Sequence, residues 1–421
     1  MFRFTEPGGF ELTSISGSGA DGWLEVEADG IYWIDLLKES DAAFHSKKMS
    51  YPSTIPSVFD DGRAFYPLEL NNVTPIEGQE IPHLNALSPA VATLETLLRK
   101  SVSLRVSHIP TWWPLSESGP STSPAKLAIL FSGGLDCTVL ARLAHDILDT
   151  SETIDLLNVA FENPRVHRQK TADPDFSPYE SCPDRLTGRA SFAELQLVCP
   201  GREWRFVAIN IPYTETIAHR AEVMGLMHPH NTEMDLSIAY ALYFAARGSG
   251  LLVRTAQEPT TPYTTTARVL LSGLGADELF GGYSRHGMAF NRRGYAGLIE
   301  ELGLDIGRLG KRNLGRDDRV ISNWGREARF PYLDEDFVHW ALQAPVWEKC
   351  GFGEQPVEGK VDGGKQVDGS ELLEPGKKVL RCLAWKLGMK SVASEKKRAI
   401  QFGARTAKME VSRIKGTQLL T

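Results

Sequence analysis

Apolar positions along this chain fall into three regimes. Over 1–75 they alternate with polar ones in short runs. The clearest run is Trp23 to Leu36, centred on Asp29-Gly30, which predicts a hairpin. Over 88–105 the spacing turns helical, with Val91, Leu94, Leu97, Leu98 and Val102 on one face. A Pro- and Ser-rich stretch over 111–125 reads as a linker. From 126 onward, short continuous apolar runs alternate with amphipathic ones. They predict strands at 126–131, 154–161, 204–211 and 267–272, and helices at 135–148, 188–198, 214–225 and 234–247. Strands that are apolar throughout need cover on both faces, and a strand–helix rhythm calls for parallel neighbours. The expected fold is therefore α/β: a parallel twisted sheet with helices on both faces over 126–421, mainly helical beyond 275. A β-rich segment over 1–110 precedes it. Within the larger unit, 351–376 is rich in Gly, Glu and Lys and poor in apolar residues, so a surface insertion is expected there.

Composition narrows the class of partner. The 421 residues carry 46 Lys and Arg against 53 Asp and Glu, a net charge of −7. No basic cluster with interleaved aromatics occurs, which argues against a nucleic-acid partner. No apolar run reaches bilayer length, so no membrane partner is expected. The five cysteines, Cys137, Cys182, Cys199, Cys350 and Cys382, form no C-x-x-C pair, which argues against zinc and dithiol redox chemistry. An odd count without a basic-then-apolar leader points to reduced thiols and a cytoplasmic location.

The chemistry is concentrated in two glycine turns. Ser132-Gly133-Gly134-Leu135-Asp136 stands between a predicted strand and a predicted helix. Glycines let backbone N–H groups approach an anion, and the helix start aims its free N–H groups and positive dipole end at the same point. A carboxylate beside bound phosphates implies a cation between them, with Mg²⁺ the usual choice. Alone, the run also fits a ligand-free tight turn. A second run of the same kind, Leu270 to Tyr283, carries Ser272, Gly273, Asp277 and Glu278 after another short apolar strand. Two such turns can meet at the carboxyl ends of neighbouring parallel strands, where open α/β sheets bind ligands. The alternative for Asp277 and Glu278 is simple helix capping.

S-G-G-L-D followed at a distance by L-S-G-x-G-A-D-E-x-F-G-G-Y resembles the synthetase domain of glutamine-dependent asparagine synthetases, relatives of the N-type ATP pyrophosphatases. Asn313 to Val320 and Gly325 to Asp334 carry the same likeness. Pro183 to Ala190, Gly282 to His286 and Lys397 to Gly403 resemble the branch of asparagine synthetase domain-containing proteins of animals and fungi. The resemblance implies a Rossmann-like ATP-pyrophosphatase fold that uses ATP and Mg²⁺. In that family ATP adenylates the β-carboxylate of aspartate, pyrophosphate leaves, and ammonia displaces AMP. By position, Ser132, Gly133, Gly134, Asp136 and Cys137 match the pyrophosphate loop. Leu130 and Phe161 match adenine contacts, although both also suit core strand positions. Ser272 and Gly273 match nucleotide contacts, and Asp136 and Asp277 match the metal ligands. Asp136, Asp277, Glu278 and Arg398 are the implied catalytic set. Two positions depart from the pattern. Leu274 stands where the family has Glu, and Ala399 stands where it has Lys, three residues before Phe402; Lys397 and Arg398 are the nearest cations. The family's glutaminase nucleophile is a Cys directly after the initiator Met, whereas Phe2 stands here and the first cysteine is Cys137. Residues 1–110 are accordingly expected to be a remnant of an N-terminal-nucleophile glutaminase domain, with ammonia arriving free or from a separate glutaminase. Two functions stay open: an amide ligase, or an ATP-binding pseudoenzyme or interaction module.

Overall fold

The computed structural model describes residues 2–5, 9–14, 22–26, 30–34, 46–50, 69–76, 80–110, 124–167, 176–255, 259–355, 368–409 and 419–420. Most of the linker expected at 111–125 lies outside them. Near the N-terminus, β1 (Phe2–Thr5) pairs antiparallel with β2 (Gly9–Leu12), and β3 (Gly30–Ile34) pairs with β4 (Ser46–Ser50). Of the stretch 23–36 expected as a hairpin, residues 27–29 and 35–36 lie outside the described residues, and the described part shows no pairing between 23–26 and β3. Leu24 instead exchanges two 2.8 Å backbone hydrogen bonds with Phe2, and β3 takes a partner from later in the chain. The Asp-Gly signal is local, whereas Leu24 and β3 pair with segments distant in the chain.

The main sheet has seven strands: β5 (Leu127–Leu130), β6 (Ile154–Phe161), β7 (Trp204–Ile211), β8 (Ser249–Val253), β9 (Thr261–Thr264), β10 (Val269–Leu271) and β11 (Glu327–Arg329). Their order is β11-β10-β5-β6-β7-β8-β9. The first five positions run parallel, and β8 and β9 add an antiparallel edge. Four of these strands coincide with the expected apolar runs. β8, β9 and β11 have no such run: β9 and β11 are the two edges, and β8 (Ser249–Val253) is buried only at Leu252 and Val253.

Helices cover both faces, as the alternation within β5 dictates. Leu127 and Ile129 point into a core shared with Pro89–Val106, Leu135–Ile147 and Lys378–Lys386. Ala128 points the other way, into a core built with Glu233–Arg247 and Gly315–Ser322. The helix expected at 188–198 begins earlier, at Pro183, where a missing N–H costs a helix nothing. The stretch expected as one helix over 214–225 is two, Tyr213–Ala218 and Arg220–Met227, parted at His219. The flanks of 351–376 belong to the body. Glu354 accepts from Leu84 N at 3.1 Å and pairs with Lys378, while Ser370 and Leu373 are buried. Residues 356–367 lie outside the described residues.

Strand order reverses at β5: the chain moves to β6 and β7 on one side and returns to β10 on the other. A crevice opens at such a point beyond the carboxyl ends of the strands.

Candidate active site

The two glycine turns leave β5 and β10 side by side and share one geometry. Gly134 N donates to Ser132 Oγ at 3.3 Å, and Leu274 N donates to Ser272 Oγ at 3.3 Å. Gly133 has φ +80°, and a Cβ there would lie 2.4 Å from Gly188 Cα, so the turn admits no side chain. Gly273 abuts the other turn, with room for a Cβ only 3.0 Å from Asp136 Cβ. Helices start at Leu135 and Ala276, which places Asp136 and Asp277 in their first turns.

Both carboxylates converge on Lys377. Its Nζ lies 2.7 and 2.8 Å from the Asp136 oxygens and 2.8 Å from Asp277 Oδ1. Lys377 is buried, with a left-handed backbone at φ 56° immediately before the 378–386 helix. Lys397 donates to the other Asp277 oxygen. Burial alone would raise the Asp277 carboxyl, but the two lysines outweigh it and hold it well below the ordinary carboxylate range. Burial would likewise lower Lys377, yet its two carboxylates raise it. Glu278 moves the other way, because burial and the neighbouring Asp277 charge both push it up. Its Oε1 accepts from Tyr283 Oη at 2.6 Å and Asn313 Nδ2 at 3.3 Å.

A cavity of about 590 Å³ opens over this centre. Apolar side chains line part of it, among them Leu130, Leu157, Val159, Ile238 and Leu242, and arginines line another part. Among the described residues, no group of three His, Cys, Asp or Glu side chains is placed to hold a metal. No helix among them is long and apolar enough to cross a membrane.

A family model described as Asparagine synthase matches residues 263–300 and 291–412, a span that holds the second turn, Lys377 and Lys397. The bovine asparagine synthetase domain-containing protein 1 is 34% identical over 97% of this chain and 74% of its own length. The chain belongs to the asparagine synthetase domain family. The mouse protein of the same name is 42% identical over 70% of this chain, and a Saccharomyces cerevisiae asparagine synthetase domain-containing protein is 38% identical over 80%. These matches span 48% and 57% of the two relatives' lengths, so the chain covers about half of them.

Within this asparagine synthetase-like domain, the cavity gathers Leu130, Ser132, Gly134, Asp136, Cys137, Ser272, Gly273, Asp277, Glu278 and Arg398. Gly133 lies beneath, against Gly188. Phe161, expected at an adenine contact, does not line the cavity: it is fully buried, edge-on to Phe244 at 5.6 Å between centroids, and belongs to the core. Val159, two residues earlier on the same strand, faces the cavity instead. Burial pushes the Cys137 thiol up, and Sγ donates to Gly134 O at 3.3 Å, so it is a packed thiol rather than a thiolate. Arg398 does not stand in for the missing lysine. Its Nη1 donates to Thr187 Oγ1 at 3.3 Å, while Lys397 reaches Asp277. Ala399 caps the short Ile400–Gly403 helix. Lys377 escaped the sequence reading; its only signal is a Lys-Lys pair that opens an amphipathic run after a polar stretch.

Proposed function

We propose that this chain is an ATP-dependent amide ligase domain of asparagine synthetase type. It adenylates a carboxylate, that of aspartate by family likeness, and ammonia, free or delivered by a separate glutaminase, then displaces AMP. The observation that carries this proposal is the convergence of Asp136 and Asp277, from twin Ser-Gly turns on adjacent parallel strands, upon one buried lysine. That is a cradle for phosphates together with their counter-charges.

Each part has a physical task. The open N–H groups at the start of the 135–147 helix suit a pyrophosphate. Leu130, Val159 and Ile238 offer an apolar wall for a base. Lys377 and Lys397 stand where negative charge would grow as a carboxylate attacks the α-phosphorus and pyrophosphate departs. Asp136 and Asp277, which meet at Lys377, supply hard oxygen donors of the kind Mg²⁺ takes, and nucleotide phosphates and water would complete its shell. Held there, the ion would neutralise phosphate charge.

Leu274 favours a second reading, a nucleotide-binding module that has lost amidation, because leucine neither accepts a proton nor orients ammonia. Exchange of labelled pyrophosphate into ATP, with and without aspartate, tests the first. Aspartate-dependent exchange supports the ligase. ATP–Mg²⁺ stabilisation without exchange favours the binding module. Absence of both removes the nucleotide site altogether.

A further inference from the structure

Lys377 and Lys397 grip opposite oxygens of Asp277, yet they arrive from different segments and are held differently. Lys377 stands at the head of the Lys378–Lys386 helix. Its backbone N donates to Phe280 O at 2.9 Å, and its Nζ meets both aspartates. Lys397 comes from 395–399, a loop without regular structure. Among the described residues its Nζ meets Asp277 and the Tyr283 ring, 5.4 Å away. Those contacts do not fix the loop that carries it. Arg381 does. From the Lys378–Lys386 helix, its Nε donates to Gly376 O at 2.9 Å, and its Nη1 donates to Ala393 O and Glu395 O, both at 2.7 Å. Gly376 directly precedes Lys377, and Glu395 stands two residues before Lys397. One rigid fork therefore spans the two segments that deliver the lysines. Among the described residues, no carboxylate pairs with this buried guanidinium. Burial pushes Arg381 below the ordinary arginine range, against the pull of Glu374, Asp136, Asp277 and Glu395. A buried cation held by neutral carbonyls is a costly way to fill a helix face. What it adds is geometry, since a guanidinium presents its donors in a fixed plane.

We propose that Arg381 is the positioning residue for Lys397: it fastens the loop before Lys397 to the turn before Lys377, so that both ammoniums face one centre. The inference rests on the adenylation proposal above for what the lysines do, but not for where Arg381 holds them. Loss of the fork is unequal in its effect. Lys377 keeps Phe280 O and two carboxylates, whereas the loop of Lys397 loses two backbone anchors at once. One lysine is released and the other stays.

The full chain is compared as wild type, Arg381→Lys, Arg381→Met, Lys397→Met and the double Met variant. The first readout is the rate at which acetic anhydride labels each lysine, followed by peptide mass spectrometry. Lys397 should label severalfold faster in Arg381→Met than in the wild type, with Arg381→Lys intermediate because a single ammonium reaches fewer carbonyls. Lys377 and Lys349, both buried, should keep their wild-type rates. The second readout is pyrophosphate exchange. In Arg381→Met its kcat should fall on the order of 10²-fold, the cost of a misplaced group, with the KM for ATP unchanged. The double variant should fall no further than Lys397→Met alone, because the two residues act as one unit. Unchanged labelling of Lys397 in Arg381→Met overturns the proposal. So does a parallel rise at Lys349 and Lys377, which is general loosening. Additive losses in the double variant place Arg381 on the substrate itself and also overturn it. If the wild type shows no exchange while Lys397 alone is released in Arg381→Met, adenylation fails and the fastening stands. Should Arg381→Met not fold, Arg381→Lys is read by the same criteria.

Discussion

Two lysines face two aspartates at the centre of the cavity, and their positions differ. Lys377 is buried and touches both carboxylates; Lys397 is partly exposed and touches only Asp277. Lys377→Met leaves Asp136 without its cation and Asp277 with Lys397 alone, which costs about 3–5 kcal/mol for a broken buried pair. A large drop in denaturation midpoint is expected. Lys397→Met leaves Asp277 with Lys377, so its stability should change by less than about 1 kcal/mol, while pyrophosphate exchange falls on the order of 10²-fold. A variant that melts normally and still exchanges at the wild-type rate would remove Lys397 from the chemistry. Asp184 gives a pH prediction. Burial pushes its carboxyl up to about 7 from an ordinary 3.8, although Arg398 and Lys397 pull the other way. The folded state therefore holds a proton that the unfolded state has released between those values. Its contribution to stability is full below about 4, declines as pH rises toward about 7, and is flat above. Asp184→Asn should abolish that decline, so the wild-type-minus-variant midpoint in urea should fall across this window and level off beyond it. Asp136 and Asp277 were legible in sequence because glycine turns announce themselves locally. Lys377 was not, because it meets Asp136 across 241 residues and rests on a left-handed backbone that nothing nearby requires.

At the scale of elements, the first turn depends on how closely the 183–198 helix approaches it. Gly133 and Gly188 meet with no side chain between them, and Ser191 Oγ donates to Gly133 O at 2.6 Å. Asn158 closes the junction by donating to Phe131 O and Asp184 O, both at 2.9 Å, and so ties β6, the turn and the helix together. A Cβ on Gly188 would stand 2.5 Å from Asn158 Nδ2. Gly188→Ala is thus expected to cost about 1–3 kcal/mol by overpacking, and to weaken ATP–Mg²⁺ stabilisation by displacing the turn. Denaturation of the variant, followed by a nucleotide titration, checks both; unaltered nucleotide binding would show that the turn does not lean on this helix. Elements with their own periodicity were readable: β5, β6, β7, β10 and the helices between them. The antiparallel edge and β11 were not, since Ser249–Val253, Thr261–Thr264 and Glu327–Arg329 are short and take their shape from neighbours. The Gly133–Gly188 contact was invisible for a related reason. A glycine inside a helical run reads as a weakness until the partner that needs the space is known.

Across the whole molecule, the two halves of the proposed reaction are unequally equipped. The adenylation half has its phosphate turns, its paired aspartates and both lysines, including the cation that Ala399 cannot provide. The amidation half requires something to take a proton as ammonia attacks, and Leu274 lines the cavity where the family has Glu. The wild-type chain should therefore exchange pyrophosphate with ATP in the presence of aspartate. It should form a hydroxamate when hydroxylamine is supplied, because that nucleophile is largely unprotonated at neutral pH. It should make little amide from ammonium. Leu274→Glu is expected to raise amide formation on the order of 10²-fold, the range of general base catalysis, with exchange unchanged. Adding Ala399→Lys should contribute nothing further, because Lys397 already occupies the side of Asp277 that such a lysine would seek. Amide yield from labelled ammonium, set against exchange in the same preparation, decides the matter. If the unmodified chain forms amide as fast as it exchanges pyrophosphate, the proton goes to another group, and Glu278, a cavity carboxyl that burial and Asp277 both push up, is the candidate to receive it.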